Sequence, residues 1–198
     1  MSARRVVLGV SGASGAMLGL AAARHLASLG VETDLVASAA ARRTLAEECG
    51  PEALRALEAM VTRSHAIDDI GAAIASGSVP VSGMIIAPCS MRSLAAIAHG
   101  LDDNLLTRAA GVQLKERRRL VLLPREAPLT LAHLRNMTAA TEMGAIIMPP
   151  VPAFYLGHRT LEQAAEQIAA RAVDLMAVSP PCAQHWSPEA EDQPAGNC

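Results

Sequence analysis

The chain has 198 residues, of which 51% are hydrophobic and only 2% aromatic, and its formal net charge is -2. This length suits one domain with a sizeable core of aliphatic side chains. The charge argues against a general binding surface for nucleic acid or anionic membranes, and no apolar run approaches the ~20 residues that span a bilayer.

The cysteines and the N-terminus indicate the compartment. Cys49, Cys89, Cys182 and Cys198 form no C-x-x-C pair and no set with histidines at metal-binding spacing. We therefore expect no disulfide and no metal, and a reducing environment fits best. The first residues lead straight into a strand without the apolar region of a signal peptide. The sequence predicts a soluble, cytoplasmic protein.

The first predicted element is a strand that ends in a glycine-rich turn. The run is Val6-Val-Leu-Gly-Val-Ser-Gly-Ala-Ser-Gly-Ala16, and a helix is predicted over 17–26. Free N–H groups at such a helix start can bind a phosphate, and the hydroxyls of Ser11 and Ser14 would add donors. The spacing matches neither the dinucleotide fingerprint nor the Walker motif. A tight turn without a ligand is the alternative.

Strands and helices alternate along the rest of the chain. Further strands are predicted at 31–37, 83–88, 118–124 and 144–148, and helices at 38–48, 52–60, 94–99, 104–116, 129–143 and 160–178. The strands are apolar throughout, which is typical of a parallel sheet covered by helices on both faces. We expect one α/β domain over 1–178. The tail 179–198 is predicted to be extended or partly disordered, although Trp186 suggests that some of it docks.

Polar segments follow the predicted strands at 11–15, 38, 89–93, 125–126 and 149–155. Ligands bind at the carboxyl ends of parallel strands, so these segments predict a ligand site at that edge. Ser38, Ser90 and Ser93 could instead be simple helix caps. Arg125 could bind an oxyanion and Glu126 could exchange a proton, or the two could form a structural ion pair.

Three further candidates indicate little by themselves. The basic run 115–119 ends a predicted helix, where cations complement the helix dipole, so a solvated face is the simplest interpretation. Tyr155 ends a loop stiffened by prolines, and Arg171 is a lone cation on the last helix.

Six motifs occur in order over about residues 5–176. They are Gly9-Val-Ser-Gly-Ala-Ser-Gly-Ala16, Ile86-Ala-Pro-Cys-Ser90, Asn104-Leu-Leu-Thr-Arg-Ala-Ala110, Leu114-Lys-Glu-Arg-Arg118, Leu123-Pro-Arg-Glu126 and Met148-Pro-Pro-Val-Pro-Ala-Phe-Tyr155. Together they resemble the motifs of the flavin prenyltransferase family, and the ordered set is far more specific than any one motif. One departure is Gly111, which stands where members often have Asp.

The resemblance implies a Rossmann-like (flavodoxin-like) three-layer fold and a homododecamer with sites between subunits. It implies that reduced FMN, as substrate, receives the dimethylallyl group of dimethylallyl monophosphate at N5 and C6. The product, prenyl-FMN, would serve a partner decarboxylase, and no metal is expected. Whether the donor is a monophosphate or a diphosphate stays open, as does the choice between ubiquinone synthesis and aromatic-acid degradation.

The resemblance also implies site residues. Those for FMN are Gly12, Ala13, Ser14, Ser38, Ser90, Met91, Arg92, Ser93, Arg108 and Arg125. Those for the allylic phosphate are Lys115, Tyr155 and Arg171. The implied catalytic residues are Lys115 and the two acid/base carboxylates, Glu48 and Glu126.

Two other functions are compatible with an FMN-binding fold. A phosphopantothenoylcysteine-type decarboxylase would use an early catalytic histidine and an asparagine-containing clamp, which Asn136-Met-Thr-Ala139 does not reproduce convincingly. A non-catalytic FMN-binding subunit would need no second phosphate site, whereas Lys115, Tyr155 and Arg171 are all present.

Overall fold

The computed structural model describes residues 4–186. They contain one six-stranded parallel sheet in the order β3-β2-β1-β4-β5-β6. The strands are β1 (Arg5–Val10), β2 (Glu32–Ala37), β3 (Arg63–His65), β4 (Gly83–Cys89), β5 (Arg119–Pro124) and β6 (Ile146–Ile147). The helices are α1 (Met17–Ser28), α2 (Ala39–Cys49), α3 (Ala53–Met60), α4 (Met91–Ala98), α5 (Leu105–Lys115), α6 (Leu131–Glu142) and α7 (Leu161–Asp174).

Helices cover both faces of the sheet, which confirms the predicted three-layer α/β fold. Side chains alternate between the faces along β1, so that Leu8 belongs to the core on the face covered by α1, α2, α3 and α7, whereas Val7 belongs to the core on the face covered by α4, α5 and α6. Both residues are fully buried. A strand whose side chains are buried on both faces has no polar alternation, which is why its sequence is apolar throughout.

The two edges of the sheet differ most from the sequence prediction. The edge strand β3 was not predicted, because its sequence Arg-Ser-His is polar and partly exposed. β3 pairs with β2 at residues 34–36. It is a strand because of these backbone hydrogen bonds and not because its own side chains are buried. At the other edge, β6 has only two residues, fewer than the predicted 144–148. The last helix, α7, also differs from the prediction, because it ends at Asp174 rather than at 178.

The C-terminal part is described as far as Trp186, and residues 187–198 lie outside the described residues. The predicted boundary at 178 between domain and tail therefore stays a prediction. Within residues 4–186, no helix has the length and apolar character that a bilayer crossing requires.

Candidate active site

The turns after β1 and β4 meet at the carboxyl edge of the sheet because the two strands are neighbours. The Ser11 hydroxyl donates to the Pro88 carbonyl oxygen at 3.0 Å and accepts the Ser90 N–H at 2.7 Å. Ser11 is almost completely buried. Its hydroxyl therefore joins the two turns and is not the free phosphate donor that the sequence suggested.

A cavity of about 390 Å³ opens beside these turns, between the N-termini of α2 and α4. It brings together five of the residues implied for FMN, namely Gly12, Ser38, Ser90, Arg92 and Ser93. Asn104 also lines it; the sequence showed it at the start of a family motif but predicted no role for it in the site. We call this space the strand-edge cavity.

Two of the three serines of the strand-edge cavity also cap the helices that border it, whereas Ser93 lies within α4 and is not the cap that the sequence suggested. Ser38 Oγ accepts the Ala41 N–H at 3.1 Å, and Ser90 Oγ accepts the Ser93 N–H at 3.3 Å. The capping interpretation is therefore correct for both residues. Capping does not remove them from the cavity, because each cap places a hydroxyl and the first turn of a helix at its lining.

Glu48 binds the start of α1, where the sequence suggested free amides. The N–H groups of Gly15 and Ala16 each donate to Glu48 Oε2 at 2.8 Å. Burial by itself would raise the pKa of Glu48, but the Ala16 N–H, the Ser14 hydroxyl, the Gly15 N–H and the Arg125 charge together lower it below its usual value. Glu48 is therefore a carboxylate near neutral pH, so these two amides are not free for a phosphate.

Arg125 and Glu126 follow β5 at the same edge. Arg125 Nε donates to the Ser14 carbonyl oxygen at 3.1 Å, which joins this segment to the glycine turn and so to Glu48. The exposed Glu126 carboxylate accepts the N–H of Ala127 at 3.0 Å. Arg125 and Glu126 thus do not form the structural ion pair that was considered as an alternative.

Tyr155 and Arg171 lie together in a second cavity of about 740 Å³. The ring centroids of Tyr155 and Trp186 are 6.3 Å apart with their planes at 60°. This contact confirms that part of the C-terminal segment docks. We call this space the Tyr155 cavity, and its lining residues are distinct from those of the strand-edge cavity.

Comparisons with known proteins give the family of this chain. The sequence model of the Flavoprotein family matches residues 1–173. The flavin prenyltransferase UbiX of Thauera aromatica is 51% identical over 170 residues, which are 86% of this chain and 87% of that protein. This chain belongs to the flavin prenyltransferase family. The assignment confirms the family and the enzyme class that the motifs predicted.

Two solved structures of similar proteins support the same assignment. AnUbiX (PadA1), in complex with FMN and dimethylallyl pyrophosphate, has a TM-score of 0.88 and 43% identity, covering 93% of this chain and 97% of its own. A dodecameric FMN-dependent Ubix-like decarboxylase from Escherichia coli O157:H7 has a TM-score of 0.88 and 42% identity, covering 92% and 99%. The flavodoxin-like fold expected for the flavin prenyltransferase family is thus confirmed.

Arg108, which the family resemblance implies for FMN, is not among the residues that line the strand-edge cavity. Its Nε donates to the Ala75 carbonyl oxygen at 3.1 Å, and its Nη1 donates to Asp102 Oδ2 at 2.9 Å. A Cβ atom on Gly111 would lie only 2.7 Å from Asp102 Oδ1. The Asp102 carboxylate thus fills the space of a side chain at 111, the position where family members often have Asp.

Lys115 is not brought to either cavity within one chain. It ends α5, which runs opposite to the strands, and it lies beside Gly77 near the amino ends of β4 and β5. Its ammonium group contacts the Glu116 carboxylate at 2.5 Å. Of the remaining residues implied for the family site, Ala13 is buried in the glycine turn, and Met91 packs against the core.

Proposed function

We propose that this protein transfers the dimethylallyl group of dimethylallyl monophosphate to N5 and C6 of reduced FMN, and that the prenyl-FMN formed serves a partner decarboxylase. The observation that supports this most is the pair of cavities. The strand-edge cavity offers hydroxyls and helix N-termini, whereas the Tyr155 cavity offers a phenol and a guanidinium. A reaction between two phosphate-bearing substrates requires two such sites.

The strand-edge cavity has the chemistry to hold FMN. Ser38, Ser90 and Ser93 line it, together with the first turns of α2 and α4, whose remaining N–H groups would be available to an anion. When bound, FMN supplies the electron-rich ring that accepts the prenyl group. Gly12 and Ser38 would position its phosphate-bearing chain, and Arg125 would lie beside it at the end of β5.

The donor phosphate would bind to Tyr155 and Arg171. Within residues 4–186 the Arg171 guanidinium has no hydrogen bond and no ion pair, so it is free to bind an anion. Ionisation of the donor releases a phosphate, and donors placed around that phosphate stabilise it as its charge develops. Lys115 lies near the amino ends of the strands and lines neither cavity, whereas the strand-edge cavity lies at their carboxyl ends. We therefore propose that the Lys115 of this site comes from a neighbouring subunit.

The protons lost from the flavin during ring closure need an acceptor. We propose Glu126 for this role, with the departing phosphate as a second acceptor. Glu48 binds two amides of the glycine turn, so we propose that it acts mainly by holding that turn and Arg125 in place.

The activity can be tested directly. We expect anaerobic incubation with reduced FMN and dimethylallyl monophosphate to give a flavin with a changed absorption spectrum, heavier by one prenyl unit in mass spectrometry. Dimethylallyl diphosphate, used in a parallel incubation, identifies the preferred donor. An unchanged flavin with both donors would contradict the proposal.

We expect Tyr155→Phe to raise the KM for dimethylallyl monophosphate by roughly tenfold, because it removes one hydroxyl donor worth about 1–2 kcal/mol. The aromatic contact with Trp186 does not require the hydroxyl and should persist. Steady-state kinetics at saturating reduced FMN measures this effect. An unchanged KM would show that the phenol does not contact the donor.

We expect a large homo-oligomer, which we propose to be a dodecamer. The structural neighbour from Escherichia coli O157:H7 is described as dodecameric. Helix α6 buries only Ala140, and the surface exposes Leu131, Leu134, Phe154 and Leu161. Such apolar exposure is typical of an interface. Light scattering at micromolar concentration measures the mass, and a monomer would rule out a site that takes Lys115 from another subunit.

A further inference from the structure

Helix α7 fixes residues 181–186, which we call the C-terminal strap, by four hydrogen bonds to the strap backbone. The Asp174 carboxylate accepts the N–H of Cys182 at 2.7 Å and that of Ala183 at 3.1 Å. The Gln167 amide donates to the Gln184 carbonyl oxygen at 2.8 Å and accepts the Gln184 N–H at 3.0 Å. No sequence motif indicated these contacts.

The same helix places a cation next to this carboxylate. Arg171 and Asp174 are three residues apart on α7, and both line the Tyr155 cavity. Opposite charges at this spacing pair with each other on a helix. Yet no such ion pair forms within residues 4–186, and each oxygen of Asp174 accepts an amide of the strap instead.

We propose that the C-terminal strap keeps Arg171 available for the donor phosphate by binding the Asp174 carboxylate. The inference rests on the proposed function, in which Arg171 binds that phosphate. Asp174 is then a positioning residue. When the strap N–H groups donate to the Asp174 carboxylate, that carboxylate does not pair with Arg171. When they do not, the carboxylate pairs with Arg171 and competes with the phosphate.

The strap also contacts Tyr155, the other residue that we propose binds the donor phosphate. Trp186 ends the strap and contacts Tyr155, so one docked segment borders both Tyr155 and Arg171. A strap that served only to line the cavity would also contact Tyr155. It would not, however, make donor binding depend on the charge at position 174, and this difference separates the two roles.

The test uses full-length protein loaded with oxidised FMN, and calorimetry measures the dissociation constant of dimethylallyl monophosphate. Ala183→Pro removes one amide hydrogen from Asp174 and restricts the backbone of Cys182. We expect it to weaken donor binding by about tenfold, whereas Ala183→Gly, which keeps the amide, should change it by less than about threefold.

The decisive variant adds Asp174→Asn to Ala183→Pro. Asparagine has no charge to pair with Arg171, so we expect donor binding to return to within about threefold of the unmodified protein. Asp174→Asn alone keeps one amide acceptor and should stay within the same range. None of these changes touches the strand-edge cavity, and we expect FMN affinity to be unchanged throughout.

Two results would overturn the inference while leaving the proposed function intact. The first is a double variant that binds the donor as weakly as Ala183→Pro, which would mean that the strap only lines the cavity. The second is an Ala183→Pro variant that binds the donor normally. If the unmodified protein bound no donor at all, the proposed function would be wrong, and the inference with it.

Discussion

Glu126→Gln is expected to slow prenyl transfer by about 100-fold or more while FMN still binds. Glu126 follows Arg125 at the carboxyl end of β5, and its contact within the described chain is with the N–H of Ala127, at 3.0 Å. Glutamine keeps this contact through its amide oxygen, because the size and the acceptor atom are retained. It cannot take up a proton. Single-turnover kinetics with reduced FMN, together with an FMN titration, separates the two effects.

Glu142→Gln is the matched control for this substitution, because Glu142 is also an exposed glutamate but lies at the end of α6. We expect it to behave as the unmodified protein. A normal rate in Glu126→Gln would exclude Glu126 as the proton acceptor. Loss of FMN affinity in that variant would instead mean that Glu126 supports the structure of the site.

The sequence predicted the sheet well where a strand is buried on both faces, as for β1 and β4. Such strands need apolar residues at every position, and that requirement leaves a clear pattern. The sequence did not predict β3, because two of its three side chains are exposed and the strand forms only by pairing with β2. An edge strand of this kind has no apolar pattern of its own.

The position of the candidate site could be predicted because parallel topology brings the strand ends to one edge. This logic, with the family motifs, placed Gly12, Ser38 and Ser90 in one region, and the structure brings them to one cavity. The contact of Glu48 with the α1 amides was not predictable in the same way. It joins a side chain to backbone groups more than 30 residues away, and no local spacing encodes it.

The hydrogen bonds between α7 and the C-terminal strap could not be predicted from the sequence for a related reason. Asp174 and Gln167 look like ordinary polar residues on the outer face of a helix, and only the folded position of 182–184 gives them partners. Lys115 shows a further limit. Within one chain, neither its spacing nor its position in the fold brings it to Tyr155, and the role that we propose for it needs a neighbouring subunit.

Gly12→Ala is expected to lower the affinity for FMN by about 100-fold, because it forces the glycine turn away from α2. A Cβ atom at position 12 would lie 2.2 Å from the Cβ of Ala40. Gly12 is not among the glycines with positive φ, so this contact and not backbone strain limits the position. Ala40 is on the first turn of α2, which Ser38 caps. Separating the turn from α2 moves Gly12 and Ser38 apart, and both line the strand-edge cavity.

Ala40→Gly provides the matching test, because it removes the atom that the new Cβ at position 12 would strike. The nearest remaining atoms of residue 40 lie 3.1 and 3.2 Å from that Cβ, which is tight but within reach of a small shift. We expect the double variant to recover FMN affinity to within about tenfold of the unmodified protein, as measured by fluorescence titration. Thermal unfolding checks that each variant is folded. A folded double variant that bound FMN as weakly as Gly12→Ala would mean that the glycine is needed for contact with FMN itself rather than for packing against α2.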